Sequence, residues 1–265
     1  MIETPQSFVT RQECEKAAHQ NGYRRAHDEV GGWARFSSTT AQGSIWLAHE
    51  TGGVWLLALD HAGVIAELDI PAANKDGPGI SRYQFAGLGH LYAVMPRIYE
   101  LARTLPDAPL HEFIHKTKGL PSSTEAERLV IQRVGQDIFR DRLMMYWRSK
   151  CPLTGISDPA LLRASHIKPW KRCDDDAERL DVHNGLLLSA LWDAAFDKGL
   201  VTFDDDGTPL LSSHLSAAAA NALRWQAPIS LSGKHLARLK WHRTEIFEKG
   251  PAMSGQPKLV DGEAP

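Results

Sequence analysis

The chain is poor in cysteine: its 265 residues contain three, Cys14, Cys151 and Cys173. An odd number with no Cys-x-x-Cys pair argues against a disulfide framework and against a cysteine-held metal, so no structural zinc is expected and a reducing cytoplasm suits the thiols. Long apolar runs are also lacking. None approaches the roughly 18 residues that span a bilayer, and the start "MIETPQSFVTRQECEK" has neither a basic flank nor an apolar signal core, so no membrane or targeting segment is expected. A net charge of -2 supplies no global basic field, and any contact with nucleic acid has to come from local clusters of Lys and Arg. What is present, 43% hydrophobic residues, is enough at this length for a real core and for two modest domains.

Local patterns place the elements. Thr10 and Glu13 in "TRQE" have the spacing of a capping box and predict a helix that begins at Thr10 and ends near Asn21-Gly22. From Trp33 to about Ile70, β-rich runs alternate with "TTAQG", "ETGG" and "DHAG", turn chemistries that predict a small antiparallel meander. "PAANKDGPG" reads as a loop, and "LGHLYAVMPRIYELART" as a helix interrupted or kinked by Pro96. After "GLPSS" a second capping box, Thr124 with Glu127, opens a long helix. Leu129, Val134, Ile138 and Trp147 lie roughly on one side of it, and Arg128, Arg133, Arg140, Arg142 and Arg148 supply much of the rest. Such a helix is ordinarily a solvated arginine face on a packed stripe; next to a catalytic unit, Arg133 and Arg140 are also candidates for gripping a phosphate backbone. The expected fold class is α+β, with an N-terminal α+β domain containing a small antiparallel sheet over 1–120, a second domain over 121–250 and a flexible tail over 251–265.

The chemistry concentrates between Arg163 and Leu200. "LLRASHI" is apolar enough for a short strand that Pro169 ends, which puts His166 at the strand's exit. Asn184-Gly185 is a tight-turn signal. "LLLSALWDAAF" passes from strand to helix, and Asp193 and Asp197, four apart, then project from one helical face. Two such carboxylates suit a hard divalent cation, Mg2+ or Mn2+, which prefers oxygen ligands and completes its shell with water and phosphate. Each residue has an ordinary explanation: a structural histidine, a turn asparagine, a solvated acidic pair. Their joint spacing favours metal-assisted attack on phosphate. The triplets Asp174–Asp176 and Asp204–Asp206 sit in turn contexts and are expected to be solvated.

"CPLTGISDPALLRASHIKPW" and "NGLLLSALWDAAFDKGLVTF", flanked by "RVGQDIFRDRLMMYW" and "HLARLKWHRTEIF", resemble the HNH endonuclease superfamily, in the branch with an Ala-Ser-His-Ile signature and an Asn-Gly-Leu turn. The resemblance covers about half the chain, from Arg128 to Phe247, and implies a ββα-metal nuclease fold in which two antiparallel strands and a helix grip one ion. It implies that His166 is the general base, that Asn184 braces the loop and orients that base, and that Asp193 and Asp197 hold the metal. Many relatives carry a metal-binding His or Asp where Ser165 stands here, which makes Ser165 a weaker candidate ligand. Many also carry His where Trp192-Asp193 stands. Arg163, Lys168 and Trp170 would line the nucleic-acid groove, although a Trp after Pro is as readily a packing residue.

The function these observations imply is a metal-dependent endonuclease on DNA, double-stranded and of restriction or defence type, with dependence on modified bases as a further hypothesis and a homodimer left open. Trp33, Trp46 and Trp55 offer aromatic surfaces for target selection by the N-terminal domain, against the plainer reading that they are core. The rival is an HNH-fold DNA-binding or regulatory protein impaired in catalysis, kept alive by Ser165 and Trp192.

Overall fold

A computed structural model describes residues 1–247; the tail expected over 251–265 lies outside the described residues. The chain divides into two units. The first comprises Met1–Arg148 with Cys173–Val182, and the second Ser149–Arg172 with the described residues from His183 to Phe247.

In the first unit, helix α1 (Phe8–Gln20) precedes a five-stranded sheet of β1 (Arg25–Ala26), β2 (Ala34–Ser37), β3 (Ser44–His49), β4 (Trp55–Leu59) and β5 (Ser81–Phe85). The strands are ordered as in sequence and every pair is antiparallel. Helices α2 (Ala62–Glu67), α3 (Leu88–Thr104), α4 (Ala108–Thr117), α5 (Glu125–Tyr146) and α6 (Asp176–Leu180) complete it. The strand period of two sends Phe36, Ile45, Leu47, Leu57 and Tyr83 to one face, where all are buried. His19 of α1 meets Phe36 edge-on at that face, with ring centroids 6.1 Å apart.

Several expectations are corrected. Helix α1 starts at Phe8, capped by Ser7, whose hydroxyl accepts from Thr10 N at 3.2 Å; the Thr10 hydroxyl instead donates to Glu3 Oε2 at 2.7 Å, so it is spent before it can cap. The helix does end at Asn21-Gly22. There Gly22 takes φ 77° under the Tyr99 ring, where a Cβ would lie 2.4 Å from ring carbons. Residues 62–67, expected in the meander, form α2 because His61 Nδ1 caps Val64 N at 3.2 Å. Helix α3 runs uninterrupted through Pro96. The proline faces solvent while Leu91, Met95, Ile98 and Leu101 bury the other side. Of the three candidate stacking residues, Trp33 and Trp55 are core at 4% and 9% exposure, and only Trp46 is half-buried.

The capping box at α5 forms as expected: Glu127 N donates to Thr124 Oγ1 at 3.2 Å and Thr124 N to Glu127 Oε2 at 2.8 Å. The helix it opens belongs to the first unit, however, so the division falls at Arg148 rather than near 120. Its second half explains why. Arg142 pairs with Glu112 of α4, Tyr146 OH donates to Glu67 Oε2 at 2.8 Å, and Arg97 of α3 donates to Tyr146 O at 3.0 Å. Helix α6, capped by Asp175 through Glu178 N at 2.8 Å, packs on α4 and α5.

The second unit contains β6 (Leu162–His166), β7 (Gly185–Ser189), α7 (Ala190–Asp197), the hairpin β8 (Val201–Phe203) and β9 (Pro209–Leu211), α8 (Ala217–Ala222) and α9 (Gly233–His242). A π-helical turn, Arg243–Phe247, follows α9. Strands β6 and β7 pair antiparallel, and α7 leaves directly from the end of β7. Under this ββα arrangement lies an aromatic core. Trp192 stacks on Phe203 with centroids 6.3 Å apart, Phe196 lies 5.7 Å from Phe203, and His242 stacks on Phe196 at 4.0 Å. Trp192 Nε1 donates to Arg224 O at 3.2 Å, which satisfies its buried donor. Asp204 to Asp206 form the β8–β9 turn, as the triplet suggested. No helix among the described residues is long and apolar enough to cross a membrane.

Candidate active site

His166 is the last residue of β6 and pairs with Gly185, the first of β7. Because Gly185 has no side chain, nothing on the neighbouring strand crowds the imidazole from that position. The ring is half-buried and meets Trp170 edge-on, with centroids 5.6 Å apart and planes at 86°.

Asn184 does not form a two-residue hairpin turn. It closes a short helical turn, Val182–Asn184, and is fully buried. Its Nδ2 donates to Lys168 O at 3.1 Å, its Oδ1 accepts from Lys168 N at 2.9 Å, and its carbonyl accepts from Ile167 N at 2.9 Å. These bonds fix the backbone of the two residues that follow His166. Asn184 thereby ties down the chain just past the strand end that carries the imidazole.

Helix α7 brings the acids. Trp192 and Phe196 turn into the core, which leaves Asp193 half-buried and Asp197 exposed on the face toward β6. Ser165 is 2% exposed, and its hydroxyl donates to Asp193 Oδ1 at 2.5 Å. That bond engages the serine in orienting Asp193. A cleft of about 360 Å³ gathers Ser165, His166, Trp170, Asp193, Asp197 and Lys198. Asp197 is exposed as a residue, yet its carboxyl shares this recess. Desolvation there, followed by the Asp193 charge, pushes it up to about 6 against a smaller opposing pull from Lys198.

These groups fit a hard cation. Among the described residues no cluster of three or more His, Cys, Asp and Glu side chains forms a ready-made metal cage, so Asp193 and Asp197 would supply the protein's carboxylates. Mg2+ is commonly held that way, by one or two carboxylates with water and phosphate oxygens completing the shell. A bound cation would favour the ionised form of Asp197 against the desolvation and the Asp193 charge that raise it.

Other candidates lie elsewhere. Arg163 is exposed, donates through Nη1 to Ala160 O at 2.8 Å and Leu162 O at 3.0 Å, and is not a wall of the cleft. Nor is Lys168, whose backbone Asn184 holds. Arg133 and Arg140 sit on α5 in the other unit. Two titratable wall residues escaped the sequence reading. Lys198 was signalled only by its adjacency to Asp197. His242 is 2% exposed, and as a carbonyl only accepts, its Nε2 carries the proton to Phe196 O at 3.3 Å while Nδ1 takes the Thr202 hydroxyl at 3.0 Å. Burial, assisted by Arg243, pushes His242 down to about 4, and the bond to Phe196 opposes this. It is a neutral, structural histidine.

Residues 151–204 match the HNH endonuclease family. This segment is an HNH domain. A comparison with curated proteins returns no match. The HNH match spans both strands, α7 and β8, and includes every cleft residue named above except His242. It also includes 173–182, the excursion that packs in the first unit. An HNH domain points to nuclease activity and to a nucleic-acid substrate.

Proposed function

We propose that the chain is a metal-dependent endodeoxyribonuclease of restriction or defence type, cutting phosphodiester bonds in double-stranded DNA. The observation that carries the reading is the convergence of His166, Asp193 and Asp197 on one cleft of the HNH domain. His166 takes a proton from the attacking water, an exchange suited to imidazole, whose ordinary pKa is about 6.5. Water oxygen bonds to phosphorus, the bond to the 3'-oxygen breaks, that oxygen leaves with a proton from solvent, and the products carry a 5'-phosphate and a 3'-hydroxyl. The cation, when bound, neutralises charge on the phosphate and the departing oxygen. Asp193 and Asp197 hold it, Ser165 keeps Asp193 turned to the cleft, and Asn184 fixes the strand end that presents His166.

The test is incubation of the purified protein with plasmids of different modification state, with Mg2+, with Mn2+ and with chelator. Cation-dependent conversion of supercoiled to nicked or linear DNA supports the reading. Binding without conversion in either cation would move the assignment to an HNH-fold DNA-binding protein impaired in catalysis.

A further inference from the structure

The N-terminal sheet is covered by helix on one face only. Residues paired directly across antiparallel strands share a face, and the register therefore lines up Arg35, Trp46, Ala58 and Arg82 as one row across β2, β3, β4 and β5. The next row holds Arg25, Ser37 and Ser44, and the row on the other side holds Ala48, Leu56 and Gln84. This face is opposite to the one bearing Phe36, Ile45 and Leu57. At one end it is closed: Trp33 packs on Ala48, Leu56 and Ala58, and the 73–79 loop lies over that ring, where a Cβ on Gly77 would come within 2.7 Å of it. The rest is open, with Arg25, Arg35 and Gln84 exposed and Trp46 and Arg82 half-buried.

The arginines are arranged rather than scattered. Arg35 lies over the Trp46 ring at 5.4 Å and donates from Nε and Nη2 to Ser44 Oγ at 3.2 and 3.0 Å. That fixes the guanidinium plane and leaves its remaining N–H groups for a ligand. Arg82 is steadied by Lys75 O at 3.1 Å and Gly79 O at 3.0 Å. Ion pairs of this unit join Arg11 to Glu29, Lys75 to Glu50, Arg97 to Glu100 and Arg142 to Glu112; among the described residues none neutralises Arg25, Arg35 or Arg82. Asp60, just past β4, is turned onto Ser44 N at 2.7 Å. Beside Arg25 and Arg35 stands Ser37, small and half-buried, where a backbone can come close.

We infer that this open face binds the sugar-phosphate backbone of DNA through Arg25, Arg35 and Arg82. Charge complementarity selects the partner. Three cations outside any ion pair of the described residues, spread from β1 to β5 over about 19 Å by a strand spacing of about 4.8 Å, match a polyanion of regular charge, and fixed guanidinium groups meet phosphate oxygens in pairs. In a chain of net charge -2, such a local cluster is what permits phosphate binding. The inference rests on the nuclease reading for the choice of DNA over another polyanion.

The experiment is binding of the full-length chain to a labelled duplex by fluorescence anisotropy, in chelator so that no cutting occurs, over a series of salt concentrations. The double variant Arg25→Gln, Arg35→Gln changes exposed groups only and should keep the thermal midpoint. It should bind about tenfold more weakly, with a salt dependence shallower by about 2, since each lost phosphate contact removes roughly 0.9 from the slope. A control with the same charge change, Lys116→Gln with Lys118→Gln, should bind as the parent does. Unchanged binding in the arginine variant, an equal loss in the control, or no DNA binding by the parent would each overturn the inference. Arginine-dependent binding by a chain that cuts in no cation would leave the sheet face standing and remove the nuclease reading.

Discussion

The five-stranded sheet and the β6–β7 pair treat polar groups in different ways. In the five-stranded sheet the face under the helices is apolar, with Phe36, Ile45, Leu47 and Leu57 buried, and Ser44 is buried on the opposite face. The β6–β7 pair buries Ser165 at 2% exposure, bonded to Asp193 of the cleft, and Asn184, just ahead of β7, is buried at 0% and bonded to the backbone of Lys168. An exposed arginine costs almost nothing to keep, whereas a buried amide without partners costs about 1–3 kcal/mol. Buried polar groups with matched partners are therefore the sharper mark of a site than exposed charges.

The comparison breaks most visibly if the units are cut apart in the wrong place. A fragment beginning at Ser122 should fail to fold as the HNH unit alone, because α5 and residues 173–182 pack in the first unit and would expose Ile138, Phe139, Leu143 and Leu180. Circular dichroism and hydrogen exchange would check this; a soluble, cooperatively melting fragment would show that those contacts are dispensable.

Within the HNH unit the acids come next. Asp193→Ala and Asp197→Ala should each lower cleavage about 10- to 100-fold at limiting Mg2+ and recover in part with excess Mn2+, as expected of lost metal affinity. Titrating the cation in a cleavage assay separates this from damage to the base. If only Asp193 matters, Asp197 serves the end of α7.

The buried His242 sharpens the contrast through pH. Its folded pKa, about 4, lies below the ordinary 6.5, so it contributes stability above about pH 6.5 that is lost as pH falls towards 4, at most about 3 kcal/mol. Urea melts across that window should show the loss, and His242→Leu should flatten it. The smallest effect belongs to Ser165→Ala, which removes one hydrogen bond to Asp193 and should slow cleavage about fivefold, the equivalent of about 1 kcal/mol, with the thermal midpoint little changed.

Sequence was most informative where the deciding contacts are local. Thr124 and Glu127 cap each other across three residues, and the step from β7 to α7 follows from the change of period through "LLLSALWDAAF". It misled where a distant partner decides. Thr10 lost its capping role to Glu3, the meander lost residues 62–67 to a cap by His61, and the domain boundary moved because Arg142 and Tyr146 find Glu112 and Glu67. In the site, the strand end at His166 and the shared face of Asp193 and Asp197 were readable from spacing. The bond from Ser165 to Asp193 and the wall formed by His242 depend on how the strand, α7 and α9 pack, which no local pattern encodes.

The central claim is that His166, held by the Asn184 brace, activates water in this cleft, and single-turnover cleavage by His166→Ala tests it most directly. With saturating Mg2+ and the thermal midpoint measured on the same preparation, the account predicts an unchanged midpoint and a rate lower by about 10²–10⁴. A folded variant that cuts at the parent's rate would contradict it.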